Sequence, residues 1–170
     1  HWNKRTPEEF EKAVVFFKQA IEKDPKYALA YSGLADAYTL FPNYGDFRRK
    51  DYMPQAKAAA MKALELDPNL AEAYASFGEA IYYWEYDWVG AEKAFKRAIE
   101  LNPKYATAHQ WYAELLSNSG KHEQAIEQVS MALDLDPFSM VINRDMIFWL
   151  LHAKRYEQAF SQNKRANELF

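Results

Sequence analysis

Residues Ala71–Pro103, AEAYASFGEAIYYWEYDWVGAEKAFKRAIELNP, hold two helical patterns joined by a short aromatic turn, and they are one copy of a repeat. The punctuation finds the other copies: Pro25, Pro68, Pro103 and Pro137 each follow an acidic or amide residue and close an apolar-periodic run, at intervals of 43, 35 and 34 residues. A near-constant period of this size marks stacked supersecondary units, none of which can bury its apolar face alone.

Counting from each proline gives the packing scheme. Five residues before it stand Ala20, Ala63, Ala98 and Ala132; eight before, Phe17, Ala60, Phe95 and Val129; twelve before, Ala13, Ala56, Ala91 and Ala125. These share one helical face. Three residues after the proline come Ala28, Ala71, Ala106 and Met140; six after, Tyr31, Tyr74, His109 and Asn143; nine after, Leu34, Phe77, Tyr112 and Met146. Small residues follow at ten (Ala35, Gly78, Ala113, with Ile147 the exception) and bulky ones at thirteen (Tyr38, Ile81, Leu116, Leu150). Alternation of small and large predicts paired antiparallel helices that fit knob into hole.

The pattern resembles the tetratricopeptide repeat, a helix-turn-helix unit of about 34 residues, over nearly the whole chain. The resemblance implies an all-α solenoid, an α-α superhelix of about four helix pairs plus a leading helix. Its repeats run approximately 7–25 (partial), 28–68, 71–103, 106–137 and 140–170 within one domain, expected to be a piece of a longer protein. It further implies that first helices line a concave groove that holds peptides or protein segments. HWNKRTPEE and YDWVGAEKAFKRAIELNPKYATAHQWYAELL also resemble repeat regions of bacterial signalling proteins that carry a DNA-binding or kinase domain.

Composition narrows the function classes. A net charge of −3 and a pI near 5.8 supply no cationic field for a phosphate backbone, so nucleic-acid binding by this segment is disfavoured. Without cysteine there is neither disulfide nor thiolate metal site. No apolar run has the roughly 18 residues of a membrane span. A cytoplasmic setting is the expectation.

In chain order, Thr6-Pro7-Glu8-Glu9 starts a helix running to about Lys23, the second helix of a repeat without its first, with Trp2 expected to cover its flank in part. The next helix, about Tyr27 to Leu40, leads into the inserted loop Phe41-Pro42-Asn43-Tyr44-Gly45-Asp46, which accounts for the long first interval. Asp51 is expected to cap a helix near Pro54, since proline is tolerated in a first turn. Asp87 is expected to cap the helix from Trp88, and Gly120 to end the first helix of the third repeat. The fourth repeat departs most from the pattern, through Asn143, Ile147 and Asn163.

Chemistry is sparse. His1, His109, His122 and His152 lack metal-ligand spacing, and His109 reads as a core residue where other copies hold tyrosine. The five glycines form no phosphate-cradling loop, and no nucleophile–base set is recognisable, so neither cofactor, metal nor catalysis is expected. The resemblance places Asp36, Glu72, Glu79, Tyr83, Gln110, Trp111, Glu114, Arg144 and Phe148 on the groove, with Ser76, Asn118 and Asp145 beside them. That face is acidic and aromatic and suits a basic or apolar-anchored protein segment; Trp111 has packing against a neighbouring repeat as its alternative. Some family members grip a C-terminal carboxylate with lysine, asparagine and arginine. The matching places here hold Ser32, Asp36, Glu72, Ser76, Glu79, Thr107 and Trp111, so that activity is not carried over. Homodimerisation is the competing expectation, because solenoid ends need polar caps.

Overall fold

The computed structural model describes residues 7–43 and 48–169. Among them are nine α-helices and no strand: α1 Pro7–Lys23, α2 Ala28–Leu40, α3 Arg49–Leu66, α4 Ala71–Glu85, α5 Trp88–Leu101, α6 Ala106–Asn118, α7 His122–Leu135, α8 Met140–His152 and α9 Tyr156–Leu169. The expected leading helix and four pairs are all present. They fall into two compact units, the first ending at Leu101 and the second beginning at Asn102.

The repeat's punctuation has a direct structural cause. Asp24, Asp67, Asn102 and Asp136 each accept, at the backbone carbonyl, the amide three residues on, at 3.0–3.3 Å. At the first three turns the side-chain oxygen also takes the amide two residues on, 2.9–3.1 Å away. An Asp or Asn closing its own turn, followed by a proline that cannot extend a helix, reverses the chain at each junction.

In the first unit α2 packs on α1 and α3, and α4 on α2, α3 and α5. Leu34, Ala35, Tyr38, Ala56, Ala59, Ala60 and Ala80 form its core, with Phe17, Tyr52 and Phe77 against it. The alanines let helix backbones approach, and the glycines are filled by rings: a methyl on Gly78 would lie 3.0 Å from Phe95, and one on Gly33 would overlap Phe17. In the second unit α6 pairs with α7, α8 packs on both, and α9 on α8. The periodic alanines Ala125, Ala132 and Ala159 are again buried.

The turns follow the expected chemistry with one correction. Asp87 Oδ1 accepts from the Gly90 amide at 2.9 Å, capping α5, while Tyr86 ends α4 in the left-handed region. Gly120, φ +77°, closes α6. Asp51, however, is not the cap of α3: the helix begins at Arg49, which leaves Pro54 in its second turn. The Gln55 side-chain amide donates to the Asp51 carbonyl at 2.7 Å, adding a bond in the turn where the proline ring removes one. Phe41–Asn43 form a 3₁₀ turn, while the remainder of the inserted loop, Tyr44-Gly45-Asp46, and the expectations for Trp2 and Thr6 lie outside the described residues.

Candidate protein-binding face

First helices expose to ligand only what is left after they pack, and the two units keep different chemistry there. In the first unit α2 and α4 meet through Ser32, Asp36 and Ser76. The Ser76 hydroxyl lies 2.5 Å from Asp36 Oδ1, 2.9 Å from Ser32 Oγ and 2.8 Å from the Glu72 carbonyl. Burial pushes the Asp36 carboxyl up to about 7; the Ser76 hydrogen bond opposes the rise, and the Glu72 charge adds to it. Asp36 is therefore partly protonated at neutral pH. Glu72 and Tyr83 are half-buried, whereas Glu79 is buried. The Arg49 guanidinium stands 4.5 Å from the Tyr83 ring centroid, a contact that the repeat register gave no signal for because Arg49 follows the inserted loop.

In the second unit Gln110 Nε2 donates to Asp145 Oδ2 at 2.6 Å, tying α6 to α8, and Arg144 donates to Asp145 Oδ1 at 2.9 Å. Gln110 and Trp111 are buried, the latter in the setting of its packing alternative, while Glu114 is half-buried and Asn118 exposed. Arg144 and Phe148 are exposed. Beside them an open cleft of about 380 Å³ between α8 and α9 is lined by Met140, Ile147, Phe148, Leu151 and Ala166 among others. Of the nine residues assigned to the groove, Asp36, Glu79, Gln110 and Trp111 are thus buried, and Glu72, Tyr83, Glu114, Arg144 and Phe148 keep accessible surface. Sequence reasoning missed Met140 and Leu151. The signal for Leu151 was its place fourteen after the proline, where Thr39, Tyr82 and Ser117 stand in the other copies.

Among the described residues no group of three or more metal-ligating side chains exists, and no helix is long and apolar enough to cross a membrane. His109 is buried, with Nε2 3.0 Å from the Pro103 carbonyl and Nδ1 2.8 Å from the Gln128 side-chain amide, a structural histidine.

The architecture is that of an all-α helical-repeat chain, two helices to each repeat. The chain carries tetratricopeptide repeats: residues 85–141 match that family's profile. A thermophilic TPR protein of Thermus thermophilus shares the fold with a TM-score of 0.77 and 19% identity, over 94% of this chain and 82% of that one. YrrB, described as a TPR protein with an unusual peptide-binding site, has a TM-score of 0.61 and 23% identity, covering 95% of this chain and 78% of its own. In sequence the chain is 30% identical over 135 residues to the transcriptional regulator HilA of Salmonella typhimurium, across 79% of this chain. It spans 24% of that regulator's length.

Proposed function

We propose that the chain is a protein-interaction scaffold, not an enzyme, in which the first helices of each unit hold a partner segment that is basic or carries an apolar anchor. The observation that carries this is a charge distribution: α2, α4 and α6 hold no lysine or arginine, and Glu72 and Glu114 keep accessible surface, while α1, α3 and α5 are rich in both signs, α7 being the second helix that also lacks lysine and arginine. Charge sorted by helix rather than mixed gives the first helices a negative field that steers and orients cations. The half-buried Tyr83 adds ring area at little entropic cost. The peptide-binding description of YrrB and the regulatory description of HilA both support reading the chain as the interaction part of a larger, cytoplasmic regulator.

The test is calorimetric titration with a peptide that alternates lysine or arginine with aromatic residues. Wild-type chain should bind it, and Glu72→Lys with Glu114→Lys should weaken binding at least about tenfold while leaving the melting temperature within a few degrees, as expected for accessible side chains. Unchanged affinity in that double variant would sink the acidic-face reading.

A further inference from the structure

We propose that the outward edge of α7 and the turn after it form a second docking surface, a seat for a basic amphipathic α-helix of a partner protein. It lies on a second helix and does not depend on the first helices holding a ligand.

The four proline junctions supply the comparison. Six residues before the proline stand Gln19, Lys62, Arg97 and Met131, and one residue after it stand Lys26, Asn69, Lys104 and Phe138. Three copies thus keep polar or charged side chains at both places. Of these six, Lys62 is half-buried and the others are exposed, so neither place is needed for packing within the repeat. In the fourth copy the same two places are apolar and still open: Met131 is 48% exposed and Phe138 70%. Leu135, one helical turn beyond Met131 on the same face, is 39% exposed. Helices α8 and α9 follow this junction as α4 and α5 follow Pro68, and α8 packs on α7. The apolar row is therefore what α7 shows after its neighbours in the stack are in place.

The carboxylates around the row specify the occupant. Three residues before the proline every copy has an acid: Glu22, Glu65, Glu100 and Asp134. In the second and third copies that acid is neutralised one turn back along its own helix, by Lys62 to Glu65 at 2.7 Å and by Arg97 to Glu100 at 3.2 Å. The fourth copy keeps the acid and replaces the cation with Met131, and Asp134 has no ion pair among the described residues. Asp136 likewise lacks the side-chain bond to the amide two residues on that Asp24, Asp67 and Asn102 make. Between Lys121 and Arg144 there is no lysine or arginine at all.

An apolar row beside carboxylates that have lost their cations is complementary to apolar anchors flanked by lysine or arginine. Methionine adapts its shape to such anchors. The backbone groups of α7 are spent inside the helix, so an extended segment finds no edge to pair with, whereas a helix satisfies its own backbone. A second copy of the chain offers Met61 on α3 as an exposed anchor, but the neighbouring Lys57 and Lys62 are already paired with Glu85 and Glu65. A separate basic helix is the better occupant.

The probe is a fluorescein-labelled leucine–lysine peptide of about 14 residues, with leucines three and four apart, titrated into the 170-residue chain by fluorescence anisotropy. The titration uses the Glu72→Lys with Glu114→Lys chain, which removes the acidic first-helix face as a competitor. Binding should be saturable. It should weaken at least about tenfold when Met131→Arg and Phe138→Lys, which copy the third junction, are added, and likewise with Asp134→Lys and Asp136→Lys. Circular dichroism checks that the helices persist in each variant. With methyl-labelled methionine, the peptide should move the Met131 signal and leave that of Met61, which is 53% exposed on α3, in place. No binding at about 1 mM peptide, unchanged affinity in either set of variants, or equal movement of Met61 and Met131 overturns the proposal. So does a dimer in light scattering that Met131→Arg with Phe138→Lys dissociates without peptide, since a second copy would then fill the seat. The lysine–aromatic peptide is titrated into the wild-type chain in parallel, so failure of this seat and failure of the acidic face are read separately.

Discussion

His109 and Asn143 stand six residues after Pro103 and Pro137 and reach the same two kinds of partner, the proline's carbonyl and a glutamine side chain of the following helix. Asn143 Nδ2 donates to the Pro137 carbonyl at 3.0 Å, and its Oδ1 accepts from Gln162 Nε2 at 2.8 Å. At His109 the ring reaches the corresponding groups, Nε2 lying 3.0 Å from the Pro103 carbonyl and Nδ1 2.8 Å from Gln128 Oε1. His109→Asn should therefore cost under about 1 kcal/mol, whereas His109→Leu, which strands the carbonyl and the amide, should cost about 1–3 kcal/mol in urea unfolding. Asp36 makes a pH prediction. Its carboxyl releases the proton at 3.8 when unfolded and at about 7 when folded, so between these values the folded chain binds the extra proton. Its contribution to stability is full below pH 3.8 and is lost as pH rises to about 7, on the order of 4 kcal/mol over that window. Asp36→Asn keeps an acceptor for Ser76 and should remove this slope, leaving the variant more stable than wild type at pH 8; equal pH profiles in parallel melts would refute the assignment.

At the scale of elements, α6 and α8 end in the same motif. Gly120 and Lys154 both adopt positive φ, and the next residue's amide reaches back to Leu116 or Leu150 at 2.9 Å. Lysine in that conformation is strained where glycine is not. Lys154→Gly should stabilise the chain by about 0.5–1 kcal/mol, read as a raised urea midpoint with unchanged slope. Gly33→Val should do the opposite, since its side chain would meet the Phe17 ring between α1 and α2, and a loss of about 2 kcal/mol or more is expected. The helices themselves were legible because alanine, proline and turn residues recur in register. The start of α3 was not: Pro54 reads as a first-turn residue, but a preceding turn from Arg49 brings Tyr52 onto Phe41 and Tyr38, and that burial outweighs one lost backbone bond. Which groove residues stay accessible was also hidden, because Gln110 and Trp111 are polar-compatible types whose burial depends on what packs over them.

At the scale of the chain, the first six helices sort their charge by helix class. The second helices α1, α3 and α5 carry both signs, the first helices α2, α4 and α6 carry carboxylates without lysine or arginine, α7 likewise has no lysine or arginine, and on α8 Arg144 is paired with Asp145. Burial thins along the same direction: Ala159 is the single buried residue of α9, against five in α7. Amide hydrogen exchange should therefore run fastest in α9 and slowest in α2, α4 and α6, where first-helix carbonyls and amides are most enclosed. The central claim is that partners meet the first helices, and amide chemical-shift mapping with the lysine–aromatic peptide tests it most directly. Shifts concentrated in α2, α4 and α6, centred on Glu72, Tyr83 and Glu114 and lost in the Glu72→Lys with Glu114→Lys chain, are the result the account predicts; shifts confined to α3, α5 and α7 would contradict it.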